Sequence, residues 1–257
     1  MALKAKSAAL CAVLPLSLAA AHAVEASVVF QNTGTTTGWS TLWHEDQGSV
    51  TQVSSPAYKG GQALRCRTVY RAAYRGRYHS EARRSGMAAR GQDRYYGFTF
   101  YIPSHWQFVA QNYNVQQFIG NASGCSGGQP WTMTRLLDRA LLTRITTGPD
   151  GCTRSHTTFT VTSNVTAGVW HRLVIHGKWQ PNNAGAFQVW YDGAQQVNQT
   201  NRPTCPNTPG GFNLAVGNYS NGWHDDKKMV GTQGTRDIFI DHVRVATTYN
   251  EASPTGW

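Results

Sequence analysis

The sequence predicts an all-β protein made of two packed antiparallel sheets, and three observations carry that expectation. Beyond Val24 the chain reads almost wholly as short segments, several of which alternate apolar and polar residues with the period of two of a half-buried strand. No long amphipathic helix separates these segments, and a parallel sheet needs such crossovers. Turn chemistry punctuates the run: glycine is frequent, Asp192-Gly193 is a tight-turn signal, and Pro103 ends the segment before it.

In chain order the expected strands are 26–31 (ASVVFQ), 62–70 (QALRCRTVY), 77–84 (RYHSEARR) and 95–102 (YYGFTFYI). They continue with 114–120 (NVQQFIG), 140–147 (ALLTRITT), 156–163 (HTTFTVTS) and 171–179 (HRLVIHGKW). The last three are 187–193 (FQVWYDG), 212–219 (FNLAVGNY) and 237–246 (DIFIDHVRVA). No repeat, linker or low-complexity tract divides them, so residues 24–257 are expected to form a single domain.

Residues 1–23 read as a signal peptide. Lys4 and Lys6 precede the apolar run 8–21, and Ala21-His22-Ala23 fits a small-x-small cleavage site. The run is too short for a stable span and no later segment reaches spanning length, so a secreted protein with no membrane association is expected. In that compartment Cys66, Cys125, Cys152 and Cys205 suggest disulfides. The loop contexts SGCSGG and GPDGC favour Cys125–Cys152, which leaves Cys66 for Cys205. The net charge is +10, or +8 once Lys4 and Lys6 leave, which favours an anionic partner. No basic–aromatic RNA motif or DNA-reading helix is visible, so nucleic acid is not the expected partner; an acidic polysaccharide is, bound by a monomer.

Three segments carry candidate chemistry. In Tyr78–Arg84 a strand places His79, Glu81 and Arg83 on one face, where ionisable groups must pair or line an open cleft. In Asn114–Gly120 the paired Gln116 and Gln117 face opposite ways, and the one turned to a cleft can donate its amide to a carboxylate. In Phe212–Trp223 the residues Gly217, Tyr219 and Asn221 share a face, and Gly217 leaves room for a ligand near the backbone. Trp223 beside them is a candidate for stacking on a sugar ring, whereas Trp170, Trp179 and Trp190 are assigned to the core.

Taken in order, HSEAR, QFI and NLAVGNYSN resemble the signature strands of the jelly-roll polysaccharide lyases, the alginate lyase and, more closely, the glucuronan lyase families. Glu81 and Arg83 match the first alginate lyase motif, R-S/T-E-L-R, with His79 at its leading Arg. Gln117 matches the Gln of Q-I/V-H, and Gly217 and Tyr219 match Y-F-K-A-G-x-Y-N-Q. Ala215, Ile119 and Asn221 stand where alginate lyases carry Lys, His and Gln, which counts against alginate.

The resemblance implies a β-jelly-roll sandwich that cleaves a polyuronate, β-1,4-glucuronan foremost, by β-elimination. It implies Tyr219 as base and acid, with positive charge lowering its pKa, and Gln117 and His79 on the substrate carboxylate. Arg77, Glu81, Arg83, Asn221 and Trp223 are the expected substrate contacts, and Arg75, Arg77 and Arg83 the expected basic lining. It further implies a structural calcium ion near the first and last strands, with Asp241 as ligand and Gln31 in place of the usual Glu; no catalytic cofactor is expected. Two rival readings remain. A glycoside hydrolase needs closely paired carboxylates, and no such spacing occurs among the 13 acidic residues. A non-catalytic carbohydrate-binding module shares the fold and the aromatics. Sequons occur at Asn121, Asn164, Asn198 and Asn218, and a glycan on Asn218 would block the site proposed at Tyr219.

Overall fold

Alternation along the strands buries one face of each of two antiparallel sheets against the other, and every strand bond joins antiparallel neighbours. The computed structural model describes residue 1 and residues 28–121, 128–150 and 152–255. The expected signal peptide 1–23 and Cys125 lie outside this description, and so does the expected Cys125–Cys152 pair.

In chain order the strands are β1 (Val28–Asn32), β2 (Thr41–His44), β3 (Ser49–Val53), β4 (Ala63–Val69) and β5 (His79–Ala89). They continue as β6 (Asp93–Tyr101), β7 (Asn112–Asn121), β8 (Gly128–Leu137), β9 (Ala140–Thr147) and β10 (Ser155–Thr162). The last are β11 (Trp170–Lys178), β12 (Ala186–Tyr191), β13 (Ala194–Thr200), β14 (Gly211–Tyr219) and β15 (Thr235–Ala246). Two short helices, α1 (Asn221–Asp225) and α2 (Tyr249–Ala252), follow β14 and β15. No helix among the described residues is long and apolar enough to cross a membrane.

One sheet runs β13-β12-β11-β6-β15-β4-β3, with β1 on the second half of β15; the other runs β10-β9-β8-β7-β14-β5-β2. Between them Phe98, Phe100, Leu64 and Ile238 of the first sheet meet Phe118, Phe212, Leu214 and Val216 of the second, all at most 1% exposed. Trp179 is buried in this core as expected, but Trp170 and Trp190 are only half-buried, Trp190 packing on Tyr95 and Tyr249. The Asp192-Gly193 turn has positive φ at both residues, 50° and 93°, the signature of the tight hairpin its sequence suggested.

All the expected strands form over their described residues, and β2, β3, β8 and β13 add to them. The β8 segment was hidden by Gly-Gly-Gln-Pro at its start. Pro130 is tolerated there because β7 shifts register between Phe118 and Ile119, and β9 pairing begins only at Thr132.

One structural expectation is corrected. Cys66 and Cys205 are both free and fully buried. Cys66 lies on β4, whereas the Cys205 amide is bonded to Gln180 just past β11, three strands away. Strand spacing makes that about 14 Å, twice the roughly 7 Å span of Cα atoms that a disulfide allows.

Asp241 and its neighbours do not fit a calcium ion. Asp241 Oδ2 accepts from the Tyr58 and Lys59 amides (3.1 and 3.4 Å), and Oδ1 accepts from the His242 amide at 2.7 Å. Gln31 Oε1 accepts from Arg244 at 2.7 Å. These oxygens are committed to N–H donors, while calcium needs some six to eight oxygens turned toward it. The carboxylate instead secures the irregularity in β15, where register shifts between Asp241 and Arg244 and His242 takes φ 47°.

Burial raises the Cys66 thiol well above its ordinary range and the Cys205 thiol to about 12, although Arg90 pulls the latter back slightly. Thiol labelling followed by peptide mass spectrometry is expected to modify neither residue in native protein and both in unfolded, unreduced protein. A Cys66–Cys205 linkage would appear as their joint resistance in the unfolded state.

Candidate active site

A groove with a cavity volume of about 690 Å³ crosses the outer face of the second sheet, drawing residues from β2, β5, β7, β8, β9, β10, β14 and α1. Period-two alternation explains which residues reach it. Phe118, Leu214 and Val216 point into the core, and Gln117, Ile119, Asn213 and Tyr219 point the other way. Gln117 is therefore the groove glutamine. Gln116 is fully buried on the other face, accepting from Thr134 Oγ1 at 3.1 Å.

His79, Gln117 and Tyr219 converge, and Glu81 gathers them. Glu81 is 0% exposed, and its Oε2 lies 2.7 Å from His79 Nδ1. Gln117 Nε2 donates to both carboxylate oxygens (2.8 and 2.9 Å), and Arg83 Nη2 lies 3.6 Å away. Burial opposes ionisation of Glu81, but the attraction and hydrogen bond of His79, the charge of Arg83 and the Gln117 amide together hold its carboxyl below the ordinary value. Glu81 is thus sealed beneath the groove and saturated with partners, so it is a positioning residue and not the substrate contact expected from the sequence.

The meeting of β5 with β7 requires a gap in β14, which runs between them. Ala215 of β14 stands opposite both Arg83 and Gln117, and Gly217 stands opposite Glu81. Gln117 and Glu81 therefore bridge two strand spacings with no larger side chain intervening. Gly217 takes φ 144°, and an added Cβ would lie 2.5 Å from Ser80 O and 2.9 Å from Glu81 Cα. Only glycine fits there.

Tyr219 stacks on His79, with ring centroids 3.8 Å apart and a 25° interplanar angle. Trp43 stacks on His79 at 3.5 Å and carries the Arg83 guanidinium at 3.2 Å from its ring. Because Nδ1 faces Glu81, Nε2 is the His79 nitrogen available to a ligand. Arg77 Nη1 donates to the Tyr219 hydroxyl at 3.1 Å. The chain carrying Arg77 is fixed by Glu45, whose Oε2 accepts from the amides of Arg77 and Tyr78 and from the Tyr74 hydroxyl. Tyr78 has φ 58°, a costly backbone held by its buried ring among Tyr70, Tyr74 and Trp223.

The expected lowering of the Tyr219 pKa is reversed. Burial raises it to about 12; the Arg77 hydrogen bond and charge oppose this, while Asp225 and Glu81 add to it. Trp223 is also corrected. It is 2% exposed and packs edge-on against Tyr70, Tyr78 and Tyr113, leaving no free face over the groove. Arg75 lines a separate aromatic pocket with Tyr70 and Tyr74. Asn221 does line the groove, though from α1 and not from a strand, with its amide on Asp225 and its Oδ1 without a protein partner. Asn218 is fully buried on the core side, bonded to Thr68 and Arg236, so in the folded protein its amide is closed to glycosylation.

Sequence reasoning missed Trp43, Arg135, Arg144, Arg154, His156 and Asp225, all of which line the groove. Alternation along Ala140–Thr147 did carry a signal for Arg144, an arginine among apolar residues, but the sequence did not show which sheet face it met. The groove is lined by Arg77, Arg83, Arg135, Arg144 and Arg154 against the single carboxylate of Asp225.

A family model described as polysaccharide lyase matches residues 31–244. The crystal structure of an endo-β-1,4-glucuronan lyase from the fungus Trichoderma reesei is 38% identical with a TM-score of 0.85, over 89% of this chain and 99% of that one. An alginate lyase from a Chlorella virus is 12% identical with a TM-score of 0.53, over 79% of this chain and 89% of its own, a likeness of fold alone. No curated protein matches. With most of its length matched by the family model and by a solved relative, the chain belongs to the polysaccharide lyase family and is a jelly-roll enzyme acting on polysaccharides.

Proposed function

We propose that this lyase is secreted and, as a monomer, cleaves a polyuronate, β-1,4-glucuronan, by β-elimination, with Tyr219 transferring the proton and Gln117 and His79 holding the carboxylate of the reacting sugar. The observation that carries this reading is the convergence of those three side chains over Glu81 in a groove rich in arginine. The likeness to a glucuronan lyase supports the substrate. Ile119 and Ala215, which stand where the alginate lyase motifs place His and Lys, favour glucuronan over alginate.

The C5 proton of a uronate is weakly acidic while its carboxylate is charged. Donors on that carboxylate stabilise the enolate-like state formed when the proton leaves. Gln117 shares one amide hydrogen between the two Glu81 oxygens and retains a second, and His79, with Nδ1–H on Glu81, donates from Nε2–H when its ring carries both protons. Tyr219, as phenolate, takes the C5 proton; the C4–O4 bond breaks as C4=C5 forms; the new phenol returns the proton to O4. In glucuronate the C5 hydrogen and O4 lie on one side of the ring, so one group serves both steps. His79 stacks face to face with Tyr219 and is not in line with its hydroxyl, which suits a carboxylate donor better than a proton relay. Arg77, donating to the hydroxyl, stabilises the phenolate when it forms.

Mixing the protein with glucuronan is expected to raise absorbance near ~235 nm as unsaturated uronate forms, with smaller or no signal on alginate, pectin and heparin-type glycans. Tyr219→Phe is expected to lower kcat by about 10²–10⁴ fold while leaving polymer binding intact. Retained turnover in that variant would remove Tyr219 from the chemistry.

Because burial pushes Tyr219 up to about 12, the phenolate is the minor form at neutral pH and its fraction grows as pH rises. kcat/KM is therefore expected to climb from about pH 7 to about pH 9, approaching tenfold per unit. A flat profile measured over that interval would contradict a phenolate base.

A further inference from the structure

Across the groove from Tyr219, two arginines lack the anion that arginines elsewhere in the chain have found. Arg67 and Arg71 pair with Asp237 and Asp46 at 2.8 and 2.5 Å, and both have pKa values raised by those partners. Arg135 of β8 and Arg144 of β9 are half-buried, and no carboxylate among the described residues forms an ion pair with either. Their Nε atoms are buried without a partner, and the one hydrogen bond of the Arg144 guanidinium goes to the thioether of Met133, a weak acceptor. Arg236 also lacks a carboxylate partner, but it lies over the rings of Trp106 and Tyr113 and donates to Gln107 O, whereas Arg135 and Arg144 have no aromatic face beneath them among the described residues. Burial lowers the pKa of both arginines, and for Arg144 the neighbouring Arg135 and Arg154 add to the effect. The fold keeps these like charges together at a cost that, for Arg144, the more distant Asp225 and Tyr219 offset only in part.

The register places the pair at a fixed offset from the reacting centre. Tyr219 stands opposite Asn114, which stands opposite Arg135. Gln117 stands opposite Met133, which stands opposite Arg144. Each arginine is thus two strands beyond its counterpart, about 10 Å across the sheet, on the order of two linked pyranose rings.

We propose that Arg135 and Arg144 form an outer subsite that binds the carboxylate of a second uronate in the same chain, so that the enzyme selects runs of uronates over isolated ones. This rests on the reading of the groove as a polyuronate lyase site and deepens it. His156 belongs to the same end; burial and the three arginines around it lower its pKa, so it stays neutral, and its Nδ1 is engaged with Thr146 Oγ1. It therefore adds a hydrogen-bonding wall and no further charge.

The test compares wild type with the double variant Arg135→Gln/Arg144→Gln on polymeric glucuronan and on the shortest oligoglucuronate that wild type cleaves. Polymer binding is also measured by titration in the Tyr219→Phe background. The expected result is a rise of about tenfold or more in KM and in the polymer dissociation constant, with kcat changed less than about threefold. The shortest substrate is expected to be far less affected, and the melting temperature is expected to hold or rise. An equal loss on both substrates, or an unchanged KM for polymer, overturns the subsite while leaving the function standing. Should wild type cleave a different polyuronate, the choice of glucuronan fails, and the subsite survives only if the double variant weakens binding of that polymer. Absence of binding to any polyuronate overturns both.

Discussion

The carboxylate of Glu81 is fully buried yet held ionised, and the geometry of the groove follows from how that charge is satisfied. A lone carboxylate in such a place would cost several kcal/mol. The cost is met by His79, Arg83 and Gln117, from two different strands, each aimed at it from the groove side. Because Glu81 needs all three, it fixes the rotamer of each. His79 is left with Nε2 outward, and Gln117 with one amide hydrogen to spare. The stack of Trp43, His79 and Tyr219 then sets where the phenol sits.

This arrangement depends on what β14 omits. Side chains on strands two apart do not ordinarily touch, since about 9.5 Å of sheet lies between them. Ala215, the small residue opposite both Arg83 and Gln117, leaves a channel over β14 through which Gln117 reaches Glu81. The shift in β14–β7 register between Val216 and Tyr219 accompanies the unusual backbone of Gly217 and carries Tyr219 to the strand end beside Arg77.

Charge in the groove is lopsided in a way that overall composition only hints at. A net charge of +10 is compatible with many partners. Five arginines on one sheet face, with one exposed-side carboxylate among them, concentrate that positive charge along the groove. The carboxylates that do occur near the site, Glu45 and Glu81, act on the protein itself, one anchoring the Arg77 segment and the other the triad.

The sequence by itself determined the two-sheet fold, because period-two burial is written locally in strands such as Asn112–Asn121 and Gly211–Tyr219. It also marked His79, Gln117 and Tyr219 as candidates, through the resemblance of their three segments to the lyase signature strands, and left open which of Gln116 and Gln117 faced the groove. Only the tertiary structure decided that Glu81 lies beneath the groove, that Trp223 belongs to the core, that Cys66 and Cys205 are too far apart to bond, and that burial outweighs Arg77 at Tyr219. Each of these turns on long-range facts, namely strand order, register and depth. Pairing brings β5 beside β14 across some 130 residues of chain, a distance over which local pattern carries no information.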